Sequence, residues 1–257
     1  MDSVKEQLPK LITENMHLIH NFKADLYKKS FDELFQANRA LFTQIDALYM
    51  NQNSDVEKEQ FVKEIAKDFV SKVKVYFEAN VKKSKQDTSI LDYNMVMSSF
   101  VIPCIMEYRA ESTEALTDAL LTEWNAAFTK YRIQKGTFAD IDGAFKRKLC
   151  YITTAVCDNL EKADDSYELT TLRAFRDNYM MHSENGKGLV KEYYETAPAL
   201  VMRMNQFKES RQIYQEIYNR YIKPCISYIE QNQYEKCEKM YINMVHTLEQ
   251  QYIGGAS

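Results

Sequence analysis

Glycine and proline are scarce in this chain: six and four in 257 residues, with no glycine before Gly136. Strand-and-turn architectures spend glycine on tight turns, and proline interrupts helices, so both scarcities favour long helices over a β fold. Excess positive charge is missing as well. With a formal net charge of −4, no whole-molecule field draws the protein to DNA or RNA. The basic step Lys146-Arg147-Lys148 reads as a solvated face, and no nucleic-acid partner is expected. No apolar run is expected to reach the length that spans a bilayer, and the opening MDSVKEQLPK lacks a signal-peptide core. No membrane partner is therefore expected, and a cytoplasmic location is. A disulfide framework is also lacking. Cys104, Cys150, Cys157, Cys225 and Cys237 are odd in number and widely scattered, which points to thiols.

What is present is helical periodicity. Glu, Lys, Gln, Ala, Leu and Met, all good helix formers, are abundant. Ser54 followed by Glu57 fits a capping box, and beyond it Phe61, Ile65, Phe69, Val73 and Phe77 recur every fourth residue, a stripe that must be buried. Pro103 should kink or divide the apolar segment from Leu91 to Tyr108. Leu116, Leu120, Trp124, Phe128 and Tyr131 line one face of a helix starting near Thr113. In the last helix Tyr234, Cys237, Tyr241, Met244, Leu248 and Tyr252 share a face, and Cys104, Cys225 and Cys237 read as small core residues. The eighteen tyrosines supply rings with a polar edge, suited to boundary positions or to an interface. The fold expected is all-α, a multi-helix bundle with a compact cysteine-containing helical module in its second half. Its divisions are an N-terminal helical region over 1–135, the module over 144–200, and C-terminal helices over 201–253 packed on the rest. No internal repeat is visible.

Residues 149–199 carry the densest pattern. Cys150, Tyr151, Ile152, Thr153, Thr154 and Ala155 open it, followed by Cys157. An acidic turn runs Ala163, Asp164, Asp165, Ser166, Tyr167, Glu168 and Leu169. Leu172, Arg173, Phe175, Arg176 and Asp177 come next, then Gly186, Val190, Tyr193 and Tyr194, with Pro198 at the close. This stretch resembles the bacterial CFI-box domain, with Ser166 and Ala163 standing where one branch of that family has a cysteine and a proline. The resemblance covers about a fifth of the chain and implies a module without an assigned reaction.

The chemistry open to this segment is limited. On a helix, Cys150 and Cys157 share one face about 10 Å apart, too far for a disulfide or for chelating one ion. In a strand they face opposite sides, and the β-branched Tyr-Ile-Thr-Thr run leaves the local geometry open. No cofactor is expected, and Cys150 and Cys157 are only weak candidates for zinc. Asp165 and Glu168 suit a capping box, with Asp164 or Asp165 starting a helix on which Arg173 and Asp177 stand four apart and can pair. One account makes Thr154, Asp165, Glu168, Arg173 and Tyr194 the polar core of the module. Another sets Arg176 and Asp177 beside a nucleophilic Cys150, a cysteine-dependent hydrolase or transferase whose base would be His182, or His17, His20 or His246 brought close by folding. Gly186 and Gly188 lack phosphate-loop spacing, so Asn185-Gly186 reads as a turn. The leading expectation is a helical interaction or regulatory protein with a protein partner or self-association. The thiol enzyme and a structural metal-binding module are the alternatives.

Overall fold

The computed structural model describes residues 1–146, 151–163 and 165–253, and every element among them is helical. The protein is an all-α multi-helix bundle. The chain divides into two units, Met1–Gly143 and Ala144–Ser257.

The first unit contains α1 (Asp2–Gln7), α2 (Lys10–Thr13), α3 (Tyr27–Met50), α4 (Asp55–Asn80), α5 (Gln86–Val96), α6 (Ile102–Tyr108) and α7 (Thr113–Ala127). Ser54 caps α4 by accepting the Glu57 amide at 3.2 Å, and the Glu57 carboxylate reaches back to the Asn53 amide at 2.8 Å. The stripe Phe61, Ile65, Phe69, Val73 and Phe77 is buried, and α4 packs along α7. There Trp124 meets Phe69 and Phe128, and its indole N–H donates to the buried Asn94 side chain at 2.7 Å. The face predicted to continue to Tyr131 stops sooner. The helix ends at Ala127 with Phe128 as C-cap, so Tyr131 lies beyond it and packs from the following segment.

Residues 83–108 form the central helix of this unit. By length and composition this helix could cross a membrane, which corrects the expectation that no apolar run approaches that length; its most apolar window has mean hydropathy 1.4 and is 83% buried. A helix apolar all round needs such burial. Pro103 does not divide it. A π-helical turn, Met97–Val101, lies immediately before, and α6 continues with the proline in its first turn. The wider turn relieves the clash of the proline ring with the carbonyl four residues back. That carbonyl belongs to Ser99 and loses its usual helical donor; the buried Tyr27 hydroxyl donates to it at 2.8 Å.

Helix α8 (Phe138–Lys146) runs across the division. The second unit then contains α9 (Tyr151–Asn159), α10 (Tyr167–Asn178), α11 (Glu184–Met204), α12 (Ser210–Ile217), α13 (Lys223–Glu230) and α14 (Tyr234–Tyr252). The run Tyr151–Thr154 is helical, with Tyr151, Ile152 and Thr153 held in the core beside Val156 and Cys157. Pro198 neither ends nor begins a helix: it is buried inside α11, which runs through position 200. A second π-turn, Tyr218–Ile222, precedes Pro224 and leads into α13. Cys104, Cys225 and Cys237 are all buried.

Candidate functional site

An apolar pocket of about 50 Å³ lies within the second unit, between α10, α11 and α14. Its wall takes Leu172, Phe175 and Arg176 from α10 and Met180 from the short 3₁₀ turn that follows. Leu189, Val190, Glu192 and Tyr193 come from α11, and Tyr241, Ile242, Val245 and His246 from α14. Each set follows three- and four-residue spacing, so each helix offers one stripe.

Gly186 makes the close approach possible. A Cβ there would collide with the Met180 carbonyl, and the adjacent Ser183 hydroxyl accepts the Gly186 amide at 2.9 Å as the N-cap of α11. Asn185-Gly186 is therefore not the turn between helices that the sequence suggested; both residues lie in the first turn of α11. The glycine is used for its missing side chain, and no glycine among the described residues has positive φ.

Arg176 closes one side of the pocket. Its Nε and Nη2 donate to the two Asp177 oxygens at 2.7 and 2.9 Å, and its Nη1 donates to the Tyr194 hydroxyl at 2.8 Å. The guanidinium is only 16% exposed, while the Asp177 carboxylate stands largely in water. Its positive charge is thus matched by Asp177, which four-residue spacing also places near Arg173. Tyr194 meets Tyr151 and Tyr193 edge to face, and the Tyr193 hydroxyl accepts the Ile152 amide at 2.9 Å. These bonds tie the N-terminal turn of α9 to α11. Arg173 is half-buried further along α10.

Phe175 also begins an aromatic ledge outside the pocket. It stacks on Tyr179 with centroids 5.2 Å apart, and Tyr234 leans on both rings at 6.1 and 5.2 Å. Tyr234 is 36% exposed, and Tyr167 at the start of α10 is 58% exposed. The Tyr179 phenol pKa is raised, first by desolvation and then by the Glu238 and Glu235 carboxylates.

A second polar cluster sits at the other end of α10. The helix is capped by Ser166 without a side-chain capping bond, so the expected Asp165–Glu168 capping box does not form, and Asp165 is exposed ahead of the helix. Glu168 turns instead to the Lys162 ammonium and accepts the Tyr218 hydroxyl at 3.0 Å. An opposite charge and a hydroxyl in a largely buried site hold a carboxylate better than one exposed amide. Burial pushes the Glu168 pKa up, but the bonds from Lys162, its own amide and Tyr218 outweigh it and leave the pKa lowered. The Ser166 hydroxyl donates to the buried Cys157 sulfur at 3.7 Å. The Cys157 pKa is raised, chiefly by burial, so this thiol is poorly suited to act as a nucleophile. Thr154 is half-buried, its hydroxyl without a hydrogen-bond partner among the described residues.

Cys150, the candidate nucleophile, lies outside the described residues, as do Arg147 and Lys148 of the basic step, Asp164, and the tail 254–257. Of the histidines considered, folding brings His246 into the pocket wall with Arg176, whereas His182 is exposed on the 3₁₀ turn. Among the described residues no thiol and no serine or threonine hydroxyl lines the pocket. No group of three or more His, Cys, Asp or Glu among them is placed to hold a metal ion. Sequence reading missed Lys162 and Tyr218 as partners of Glu168, and the pocket wall from Leu189, Ile242 and Val245. The available signal was the apolar spacing on α11 and α14, which marks a buried face without telling a core from a pocket.

No family model, no curated protein and no solved structure matches this chain.

Proposed function

We propose that this is a helical interaction or regulatory protein built around a CFI-box-like module, and that the second unit docks a partner protein at the pocket between α10, α11 and α14. One observation carries the reading: the apolar pocket opens beside an aromatic ledge that runs from the buried Phe175 through the half-buried Tyr179 to the exposed Tyr234. Aromatic rings around a small apolar recess are typical of the anchor points of protein interfaces, where one inserted side chain supplies much of the affinity. The polar groups nearby favour recognition over chemistry, since Arg176 is already bound to Asp177 and Tyr194.

The test is site-specific photo-crosslinking in the cells that make the protein, with a photoreactive residue at Tyr234 or, as a control, at the exposed Val75 of the first unit. The expected result is a protein adduct at position 234 alone, abolished by Ile242→Glu and re-formed with the purified partner. Adducts of small-molecule mass only, or adducts indifferent to Ile242→Glu, would overturn the reading.

A further inference from the structure

The pocket is small, and the ledge beside it lies in the field of two carboxylates, Glu238 and Glu235, which reach Tyr179. A void of about 50 Å³, where one water needs roughly 10–15 Å³ on the same measure, holds about three to five non-hydrogen atoms. That is the side chain of one leucine, isoleucine or methionine. Arg176 is matched by Asp177, which leaves Glu192 and His246 in the wall. On α14, Glu238 stands one turn before Ile242, and Glu235 one turn before Glu238. Lys239 on the same helix offsets one of these carboxylates, and the Lys236 ammonium is drawn over the Tyr228 ring at 5.9 Å. The aromatic ledge shares this side, with Tyr179 in the field of Glu238 and Glu235 and Tyr234 presenting an exposed ring. Aromatic faces attract cations, and carboxylates alongside reinforce that preference.

From this juxtaposition we infer that the docking segment is cationic: a stretch of a partner protein that seats one aliphatic side chain in the pocket and lays lysine or arginine side chains over Tyr234, Glu235 and Glu238. The inference rests on the interaction reading above and specifies its partner. An acidic segment would meet like charge on the fringe. A neutral apolar one would gain nothing from the carboxylates.

The experiment uses the full-length protein and two labelled amphipathic helical peptides with the same leucine face. One carries lysine and arginine at its polar positions, the other glutamate, and binding is read by fluorescence anisotropy. The expected result is binding of the cationic peptide at least about tenfold tighter than the acidic one, with the advantage shrinking as salt is raised. Ile242→Glu should weaken it about tenfold. The double variant Glu235→Lys/Glu238→Lys, at positions that leave the core untouched, should reverse the preference between the peptides. Equal binding of both peptides, lost in Ile242→Glu, would overturn the cationic partner and leave groove docking intact. Binding of the cationic peptide unaffected by Ile242→Glu, or binding of neither peptide, would overturn both. Self-association that Ile242→Glu abolishes would assign the groove to a second copy of the chain and overturn the cationic partner.

Discussion

Each unit contains the same backbone device, and the two uses differ in burial. In the first, the π-turn Met97–Val101 precedes Pro103 and Cys104; in the second, Tyr218–Ile222 precedes Pro224 and Cys225. The whole of the first segment from Met97 to Ile105 is buried, and the carbonyl freed by its proline must find an internal donor, which is Tyr27. The corresponding carbonyl in the second unit belongs to Arg220, an exposed residue where water can serve. The same local sequence logic therefore makes different demands on the rest of the chain. The first unit uses most of its aromatic residues on internal packing and hydrogen bonding, with Tyr76 left exposed on α4. The second leaves part of its aromatic surface outside, at Tyr167, Tyr179 and Tyr234, beside a pocket.

The sharpest way to break this contrast is at Trp124. Trp124→Ala removes the ring between Phe69 and Phe128 and strips the Asn94 carbonyl oxygen of its donor. The first unit should lose about 3–5 kcal/mol, read from denaturant unfolding together with amide exchange in α4 and α7. Next comes Tyr27→Phe, which keeps the ring and leaves the Ser99 carbonyl without its hydroxyl donor. A loss of about 1–3 kcal/mol is expected. Pro103→Ala in the same chain restores a backbone N–H, so the double variant should recover part of that loss; strictly additive effects would refute the account of the proline.

In the second unit the corresponding polar contact is Glu168 with Lys162 and Tyr218, and its signature is pH dependence. The Glu168 pKa is lowered in the folded state, so its stabilisation is present above the ordinary carboxylate value and is lost as pH falls through the folded value. The Lys162 pKa is raised, first by its bond to Glu168, so its share holds below the ordinary lysine value and is lost as pH rises through the folded value. Glu168→Gln should cost about 1 kcal/mol near neutrality and flatten the acid limb of a melting-temperature profile. An unchanged acid limb would mean that other carboxylates set it.

The smallest effect expected is on the thiols. Cys104, Cys157, Cys225 and Cys237 are buried in both units, and burial raises the Cys104 and Cys157 pKa values. For Cys237 the hydrogen bond with the Cys225 thiol comes first, then burial. Alkylation of all four in the native protein should run at least roughly a hundredfold slower than in denaturant. Rapid native modification of Cys157 would show that its helix opens and would reopen thiol chemistry in the second unit.

Much of the fold was legible from spacing alone. The α4 stripe, the Ser54–Glu57 cap and the start of α7 at Thr113 all follow from local rules, because a helix periodic on one face has to bury that face. Prolines were the least legible elements. Pro103 and Pro198 looked like breaks, yet both lie within continuing helices, because a tertiary donor or an altered turn can meet the backbone demand that a proline creates. The candidate site was legible only in part. Arg176 and Asp177 stood out, and so did Tyr194, but the Tyr193–Tyr194 pair that drew attention is held inward against Tyr151 and Tyr241, while the ledge is formed by Tyr179 and Tyr234 from helices far apart in sequence.

By itself the sequence determined the helical class and most of the buried stripes, since these depend on composition and on contacts within a few residues. Only the tertiary structure decided that Glu168 turns to Lys162 and Tyr218 instead of capping its helix, that Tyr27 serves the Ser99 carbonyl, and that α10, α11 and α14 leave a pocket rather than close on one another. Those outcomes depend on which groups distant in sequence arrive together, and a single buried hydrogen bond or a missing Cβ is enough to settle each one.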